Sequence, residues 1–250
     1  MWVPAALSAA ALGGVAYAAA WPSSRLWGPG FHRLPGGIND IALTFDDGPA
    51  SGTPDFLDAL DALDVRGTFF VCGRNVVRSP DIARAIVEAG HAIGNHTYSH
   101  PKLPICSPLR VRRELVRTQH AISEATGVRP TLFRPPYGLR SPALRGLLPE
   151  LGLVCVHWTV IGNDWKRDAA EIASRVLRRV RKGAIICLHD GCGTDARCDR
   201  SQTLEAVREI VPRLKDRGFR FRPLSAVRGG ERNPLAEDPG RPTGRSSRRQ

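Results

Sequence analysis

The chain has 250 residues, of which 42% are hydrophobic and 24% charged, a composition typical of one large globular domain or two small ones. It excludes a fully disordered chain, a collagen-like repeat and a small disulfide scaffold. The 36 Lys and Arg residues outnumber the 24 Asp and Glu residues and give a net charge of +12. Such a charge favours an anionic partner such as nucleic acid, lipid headgroups or acidic glycan.

The N-terminal segment carries no charged side chain through residue 24 and is rich in Ala. It is interpreted as a cleaved signal peptide, a retained membrane anchor long enough to cross a bilayer, or an Ala-rich helix packed on the domain. Residues 1–24 are therefore predicted to be a signal peptide or anchor, followed by a linker over residues 25–39. Either places the protein in the cell envelope, anchored or exported. Arg25 and Arg33 would instead favour a cytoplasmic domain under the positive-inside rule, so the membrane side stays open.

Short apolar runs alternate with longer segments of helical period over residues 40–228, a pattern typical of repeated β-then-α units. The predicted strands are residues 41–45, 68–72, 92–95, 131–134, 153–158, 184–188 and 219–221. The predicted helices are residues 54–63, 80–89, 108–126, 142–151, 169–180 and 203–217, several of which begin with Pro after Ser or Thr. We therefore predict an α/β fold with about seven parallel strands, closed as a barrel or left as an open sheet.

The last segment, residues 229–250, is rich in Gly, Pro, Ser and Arg and contains almost no apolar residues. Such a composition does not repay the entropy cost of folding. We predict a disordered basic tail here.

Polar residues suited to chemistry follow the predicted strands, where the loops of a parallel β/α fold converge. Asp46 and Asp47 follow the first strand, and two carboxylates in a dry site need a cation between or beside them. His96 and His100 follow the third strand, and their spacing would place both on one face of a helical turn. Two His residues with one carboxylate form a metal set that leaves positions open for water and substrate.

Three further segments follow later strands. Arg134 ends the fourth strand, and its guanidinium is a permanent cation able to hold a carboxylate. Tyr137 lies just after it, Asp164 and Trp165 follow the fifth strand, and Leu188 with His189 ends the sixth.

Together these segments closely resemble the NodB-like polysaccharide deacetylases, carbohydrate esterase family four. The resemblance implies a distorted (β/α) barrel and one divalent metal ion, with zinc expected first and cobalt, nickel or manganese as alternatives. It implies Asp46 as catalytic base and His189 as general acid. The remaining implied roles are metal ligands for Asp47, His96 and His100, positioning of the base for Arg134, orientation of the acid for Asp164, an oxyanion site at Tyr137, and walls around the acetyl methyl for Trp165 and Leu188.

The resemblance implies removal of N-acetyl groups from an amino-sugar glycan, such as peptidoglycan, a chitin-like polymer or a lipid-linked sugar. Two alternatives stay open. One is hydrolysis of another amide, such as a formyl group on a lipid-linked sugar or a small non-peptide amide. The other is a glycan-binding protein without turnover.

A basic segment, residues 166–182, contains seven basic and two acidic residues. It is interpreted as a helix with a solvated outer face, or as a patch that binds an anionic membrane surface. No nucleic-acid recognition module is present in the sequence, so nucleic acid is not an expected partner. Cys192 and Cys198 flank the loop after His189 and could form a disulfide in an exported protein, with Cys106 as an alternative partner. The oligomeric state stays open.

Overall fold

The protein is described by a computed structural model that covers residue 27 and residues 30–34, 39–195 and 198–224. The predicted signal peptide or anchor at residues 1–24 and the predicted tail at residues 229–250 lie outside the described residues. Within the described ranges, no helix is both long and apolar enough to cross a membrane.

The alternation of strands and helices agrees with the sequence pattern. The strands are β1 (Gly30–Phe31), β2 (Asp40–Gly48), β3 (Thr68–Val71), β4 (Ala92–Asn95), β5 (Leu132–Phe133), β6 (Val154–Val156), β7 (Val160–Ile161), β8 (Ile185–His189) and β9 (Arg220–Phe221). The helices are α1 (Thr53–Ala62), α2 (Gly73–Arg78), α3 (Pro80–Glu88), α4 (Pro108–Thr126), α5 (Leu144–Leu151), α6 (Ala169–Arg179) and α7 (Ser201–Asp216). All seven predicted strands and all six predicted helices are present.

Strands β1 and β7 and helix α2 are additions to the predicted elements. The two strands have two residues each, and α2 has six residues. Segments this short do not reveal a hydrophobic period. Because β1 pairs in parallel with β6, part of the predicted linker at residues 25–39 belongs to the sheet, and the folded unit begins before residue 40.

The strands form one sheet in the order β1-β6-β5-β4-β3-β2-β8-β7, with β9 paired to the start of β2. Every pair between these strands is parallel. Within the described residues, no strand pairing joins β7 to β1, so the barrel stays open along that seam. This is the predicted distorted (β/α) barrel, with helices covering its outer surface.

Strand β2 lies at the centre of the sheet, between β3 and β8, and all its residues after Asp40 are buried. A continuous buried run is expected where a parallel sheet is covered on both faces. The largest core cluster joins Phe45 and Phe69 of the sheet to apolar residues of α1, α6 and α7. This packing fixes the carboxyl end of β2, from which the first polar residues of the site project.

Candidate active site

A cavity of about 670 Å³ opens where the carboxyl ends of the strands converge. Its walls combine acidic, imidazole and aromatic side chains that are far apart in the sequence. They include Asp46, Asp47, His96, His100, Tyr137, Trp158, Trp165, His189 and Arg200. Of the ten predicted site residues, seven line this cavity, and Asp164 adjoins it through its contact with His189. The other two do not line the cavity. Arg134 lies against Asp46, and Leu188 is buried in the core.

Asp46 lies near the end of β2, where the buried guanidinium of Arg134 binds its side chain. Arg134 Nη1 donates to Asp46 Oδ1 at 2.7 Å and to Thr44 Oγ1 at 2.7 Å. Its Nε and Nη2 donate to the backbone carbonyl oxygens of Val156 and His157. Because these hydrogen bonds fix the guanidinium, Arg134 holds Oδ1 of Asp46 in place. The other oxygen, Oδ2, lies towards the cavity and Cys187.

Asp47, His96 and His100 bring three metal-ligating atoms together. Asp47 Oδ1 is 3.3 Å from His96 Nε2 and 3.0 Å from His100 Nε2, and it is buried without a hydrogen-bond partner. His96 Nδ1 lies 2.8 Å from the carbonyl oxygen of Arg134, so Nε2 is the ring nitrogen left to face Asp47. Two imidazole nitrogens beside a buried carboxylate oxygen form a donor set that a cation completes, and the three residues therefore fit a divalent metal.

The charge of Asp47 is set by its two neighbours. Burial alone would raise the pKa of Asp47, but the His100 and His96 rings hold that pKa well below its usual value. Asp47 is therefore a carboxylate, the form in which it can bind a metal.

The segment that carries the two His residues differs from the predicted helical turn. Residues 96–100 form an irregular loop after β4, with positive φ values at Thr97 (67°) and His100 (56°). The prediction of a helical turn was wrong: backbone amides of this loop donate to side chains and not to carbonyl oxygens of a helical turn. Asn95 Oδ1 accepts from the Thr97 amide at 2.9 Å.

Glu114 of α4 provides the larger part of that support. Its Oε2 accepts from the amides of Tyr98 (2.9 Å) and Ser99 (2.7 Å), and its Oε1 accepts from the Ser99 hydroxyl at 2.7 Å. The sequence analysis missed Glu114. A signal was available, because Glu114 shares its helix face with the buried residues Val111, Leu115 and Thr118.

On the opposite side of the cavity, Asp164 holds His189, the last residue of β8. Asp164 Oδ1 is 2.8 Å from His189 Nδ1, and Asp164 Oδ2 accepts from the His189 amide at 2.8 Å. Thr203 Oγ1 of α7 donates to the same Oδ2 at 2.9 Å. The ring of His189 is thereby fixed with Nε2 as its remaining nitrogen, and Thr203 is a further supporting residue that the sequence did not reveal.

The electrostatics keep His189 protonated. Burial alone would lower the pKa of His189, but the charge and hydrogen bond of Asp164 outweigh burial and raise that pKa to about 9. Burial in turn would raise the pKa of Asp164, and the His189 charge lowers it. The pair is thus an imidazolium and a carboxylate at neutral pH.

Aromatic side chains form the rim of the cavity. Tyr137 is 57% exposed, has a positive φ of 59° and meets the His100 ring edge-on at 4.7 Å. Trp165 is 50% exposed and meets the His189 ring edge-on at 5.4 Å. Trp158 also lines the cavity and was not predicted. Leu188 differs from the expected wall residue, because its side chain is fully buried in the core.

The loop after β8 closes one side of the cavity and contains a disulfide between Cys192 and Cys198. Asn75 Nδ2 donates both to the Asp47 carbonyl oxygen and to the Gly193 carbonyl oxygen, each at 2.8 Å. The side-chain amide of Asn75 therefore links the disulfide-bonded loop to the backbone of Asp47.

Comparison with known proteins relates both the sequence and the fold to one family. The family model described as polysaccharide deacetylase matches residues 34–156. A chitooligosaccharide deacetylase of Bradyrhizobium sp. (strain ANU 289) is 40% identical over 197 residues, which cover 75% of this chain and 90% of the relative.

Solved structures give the same assignment. The Bc1960 peptidoglycan N-acetylglucosamine deacetylase superposes with a TM-score of 0.72 at 34% identity, over 77% of this chain and 89% of that chain. Wild-type BA3943 from Bacillus anthracis, described as a CE4 family pseudoenzyme, superposes with a TM-score of 0.70 at 28% identity, over 76% of this chain and 66% of that chain. The chain therefore belongs to the polysaccharide deacetylase family, carbohydrate esterase family four, as its motifs predict.

Proposed function

We propose that this protein removes N-acetyl groups from an amino-sugar glycan by hydrolysis, releasing acetate and leaving a free amine. The observation that carries the proposal is the arrangement of two oppositely charged groups around one cluster. Asp46, held by Arg134, and His189, held by Asp164, flank the cluster of Asp47, His96 and His100 in a single cavity. Amide hydrolysis requires a base and an acid, and in this cavity the side chain proposed for each role is paired with a partner of opposite charge.

The reaction adds water to the amide carbonyl carbon and breaks the bond between that carbon and nitrogen. Asp46 accepts the proton of the attacking water on Oδ2, because Arg134 already binds Oδ1. His189 gives a proton from Nε2 to the departing nitrogen, since its pKa of about 9 keeps the ring protonated at neutral pH. A divalent metal held by Asp47, His96 and His100 would supply a more acidic water and polarise the carbonyl oxygen.

Zinc is the metal we propose first. The donors are two imidazole nitrogens and one carboxylate oxygen, a set common among catalytic zinc sites. Cobalt, nickel or manganese would fit the same donors, and metal analysis of the purified protein distinguishes them.

The glycan substrate is proposed from the rim of the cavity. Exposed Tyr137 and Trp165 flank the opening on opposite sides, and aromatic faces provide flat apolar surface for sugar rings. The two deacetylase relatives described above are named for chitooligosaccharide and peptidoglycan substrates. These names support a GlcNAc-containing polymer over a small non-peptide amide, with a lipid-linked sugar as a further substrate to test.

Catalysis is favoured over glycan binding without turnover. Family membership alone does not decide between them, since one structural relative is described as a pseudoenzyme. In this chain the residues proposed as base, acid and metal ligands are all present, and their supporting partners lie within hydrogen-bond distance.

The place of action that we propose is the cell envelope. The Cys192–Cys198 disulfide favours an oxidising compartment, which agrees with residues 1–24 acting as a signal peptide or anchor. We further propose that the basic residues of 166–182, including Arg178 and Arg179 at the end of α6, contact an anionic membrane surface. Stronger sedimentation with anionic than with neutral vesicles, reduced in an Arg178→Ala and Arg179→Ala variant, would support this contact, and equal sedimentation would contradict it.

The function is tested by product analysis on a panel of substrates. The metal-loaded protein is incubated with peptidoglycan, chitin oligomers, a lipid-linked N-acetylglucosamine, a formylated lipid-linked sugar and a small non-peptide amide. We expect acetate and free amine in equal amounts from at least one glycan, and much less of both products with Asp46→Asn. Formate from the formylated sugar as the main product would replace the proposal with the deformylase alternative, and binding without any product would favour the glycan-binding alternative.

A further inference from the structure

A buried thiol lies directly behind the proposed catalytic base. Cys187 is on β8, two residues before His189, and its side chain is fully buried. Its Sγ is 3.5 Å from Asp46 Oδ2. Strand register places Cys187 opposite Thr44 and His189 opposite Asp46, so the thiol, the carboxylate and the imidazole meet at one point between two strands. The hydrolysis described above uses the carboxylate and the imidazole but not the thiol.

These three residues supply one ligand atom each within 4.8 Å of one another. The neighbouring hydrogen bonds decide which atoms are available. Arg134 binds Asp46 Oδ1, which leaves Oδ2, and Asp164 binds His189 Nδ1, which leaves Nε2. A carboxylate that holds the far nitrogen of an imidazole is the usual outer partner of a metal-ligating His.

The separation of the sulfur and oxygen atoms also suits a metal. With a zinc–oxygen distance of about 2.0 Å, a zinc–sulfur distance of about 2.3 Å and a tetrahedral angle, the two ligand atoms lie about 3.5 Å apart. The observed separation of Cys187 Sγ and Asp46 Oδ2 is 3.5 Å. These two side chains could therefore bind one cation without moving apart or together.

We propose that Asp46, Cys187 and His189 form a second cation site, selective for soft divalent ions such as Zn²⁺ and Cd²⁺, whose filling stops hydrolysis. It shares no side chain with the cluster of Asp47, His96 and His100. The sulfur ligand favours soft ions over Mg²⁺ or Mn²⁺. Since Asp46 and His189 both line the cavity, an ion enters through the same opening as the substrate.

Binding releases protons and removes both proton-transfer groups at once. The cation forms bonds to the thiolate, to Asp46 Oδ2 and to His189 Nε2, while the thiol proton and the imidazolium proton pass to solvent. Asp46 then has no free oxygen to accept a proton, and His189 has none to give. The inhibition rests on the deacetylase function proposed for the cavity, whereas the binding of the cation does not.

The binding is tested with Cd²⁺ and the ultraviolet absorption of the cadmium–thiolate bond. The full chain is used in a Cys106→Ser background, because Cys106 is the free cysteine among the described residues that is not fully buried. The first cluster has no sulfur ligand and gives no such absorption. We expect an increase that saturates at one thiolate per protein, and that disappears in Cys187→Ala.

Cys155→Ala is the matched control. Cys155 is also a buried strand cysteine next to an imidazole, with Sγ 3.6 Å from His157 Nε2, but it lies outside the three-residue cluster. Its variant should keep the full absorption. Cys187→Ser guards against misfolding of the Ala variant, since it keeps the size of the side chain and should also lose the absorption. Absorption that persists in both Cys187 variants, or that is absent from the parent protein, overturns the proposed site.

Inhibition is measured by adding Zn²⁺ beyond the first equivalent, with each variant compared to its own rate before the addition. We expect the Zn²⁺ concentration for half inhibition to rise at least tenfold in Cys187→Ala and to stay unchanged in Cys155→Ala. If the thiolate absorption appears but no substrate is hydrolysed, the second site stands and the proposed function fails. If hydrolysis occurs but the absorption is absent and excess Zn²⁺ has no Cys187-dependent effect, the second site fails alone.

Discussion

The two sides of the cavity are held by different kinds of structure. On one side, His189 is the last residue of the regular strand β8 and lies opposite Asp46 in register. On the other side, His96 and His100 lie on an irregular loop after β4, in which two residues other than Gly have positive φ. Backbone pairing between strands positions His189. Hydrogen bonds to the side chain of Glu114 are the main support of the loop that carries His96 and His100.

This difference separates the two tasks of the site. We expect proton transfer to depend on Asp46, Asp164 and their direct partners on the strand side. Metal affinity should depend on Glu114 of helix α4, which has no proposed contact with substrate. Variants on one side should therefore change turnover while metal content stays constant, and variants on the other side should do the reverse.

The largest expected effect is that of Asp46→Asn. Loss of the proposed base should lower kcat by on the order of a hundredfold or more, because an amide oxygen cannot take the water proton. Metal content should stay at the wild-type value, since Asp47, His96 and His100 are unchanged. Acetate release and elemental analysis of the same sample measure the two quantities, and full activity in the variant would reject the assignment of Asp46.

Asp164→Asn should have the next largest effect, a loss of roughly tenfold in kcat at neutral pH. The wild-type rate should fall as the pH rises through about 9, because His189 loses its proton there. Without the Asp164 charge, burial favours the neutral ring, so this fall should move to lower pH. A pH–rate profile of both proteins checks the shift, and coincident profiles would show that Asp164 does not set the protonation of His189.

On the loop side, Glu114→Gln should weaken zinc binding by about tenfold, the size of effect seen when outer partners of metal ligands are lost. An amide cannot accept all three of the hydrogen bonds that hold Tyr98 and Ser99. At saturating zinc, kcat should change little. Competition with a chromophoric chelator measures the affinity, with Glu124→Gln on the exposed part of the same helix as control. Equal affinities for the two variants would place the support of the loop elsewhere.

The smallest expected effect belongs to Thr203→Val, which removes the hydroxyl that donates to Asp164. A net contribution of about 1 kcal/mol for a hydrogen bond corresponds to a loss of about fivefold in kcat. The zinc affinity should be unchanged. Thr126→Val, at the end of α4, makes the same chemical change far from Asp164, and a similar loss in both variants would indicate a general effect on the fold.

The elements that the sequence predicted correctly are those with their own local signals. The helix over Pro108–Thr126 begins after Ser107, whose side chain accepts from the Arg110 amide, and ends at Gly127 with φ of 72°. The polar residues at the carboxyl ends of β2, β5 and β8 were predictable because parallel strands bring these ends together.

The features that the sequence did not reveal depend on contacts between distant segments. Glu114 supports the His96–His100 loop, Thr203 supports Asp164, and Cys187 meets Asp46 across two strands. Leu188 was predicted to line the substrate pocket but points into the core, because alternate residues of a strand face opposite sides. The two-residue strands β1 and β7 form by pairing with β6 and β8.

The most direct test of the proposed chemistry is acetate release from an N-acetylglucosamine oligomer as zinc is restored to chelator-treated protein. The rate should rise from background to its maximum at one equivalent of zinc in the wild type, and should stay at background in a His96→Ala and His100→Ala variant. Full activity of the metal-free protein, or equal activity of that variant, would contradict metal-assisted hydrolysis at this site.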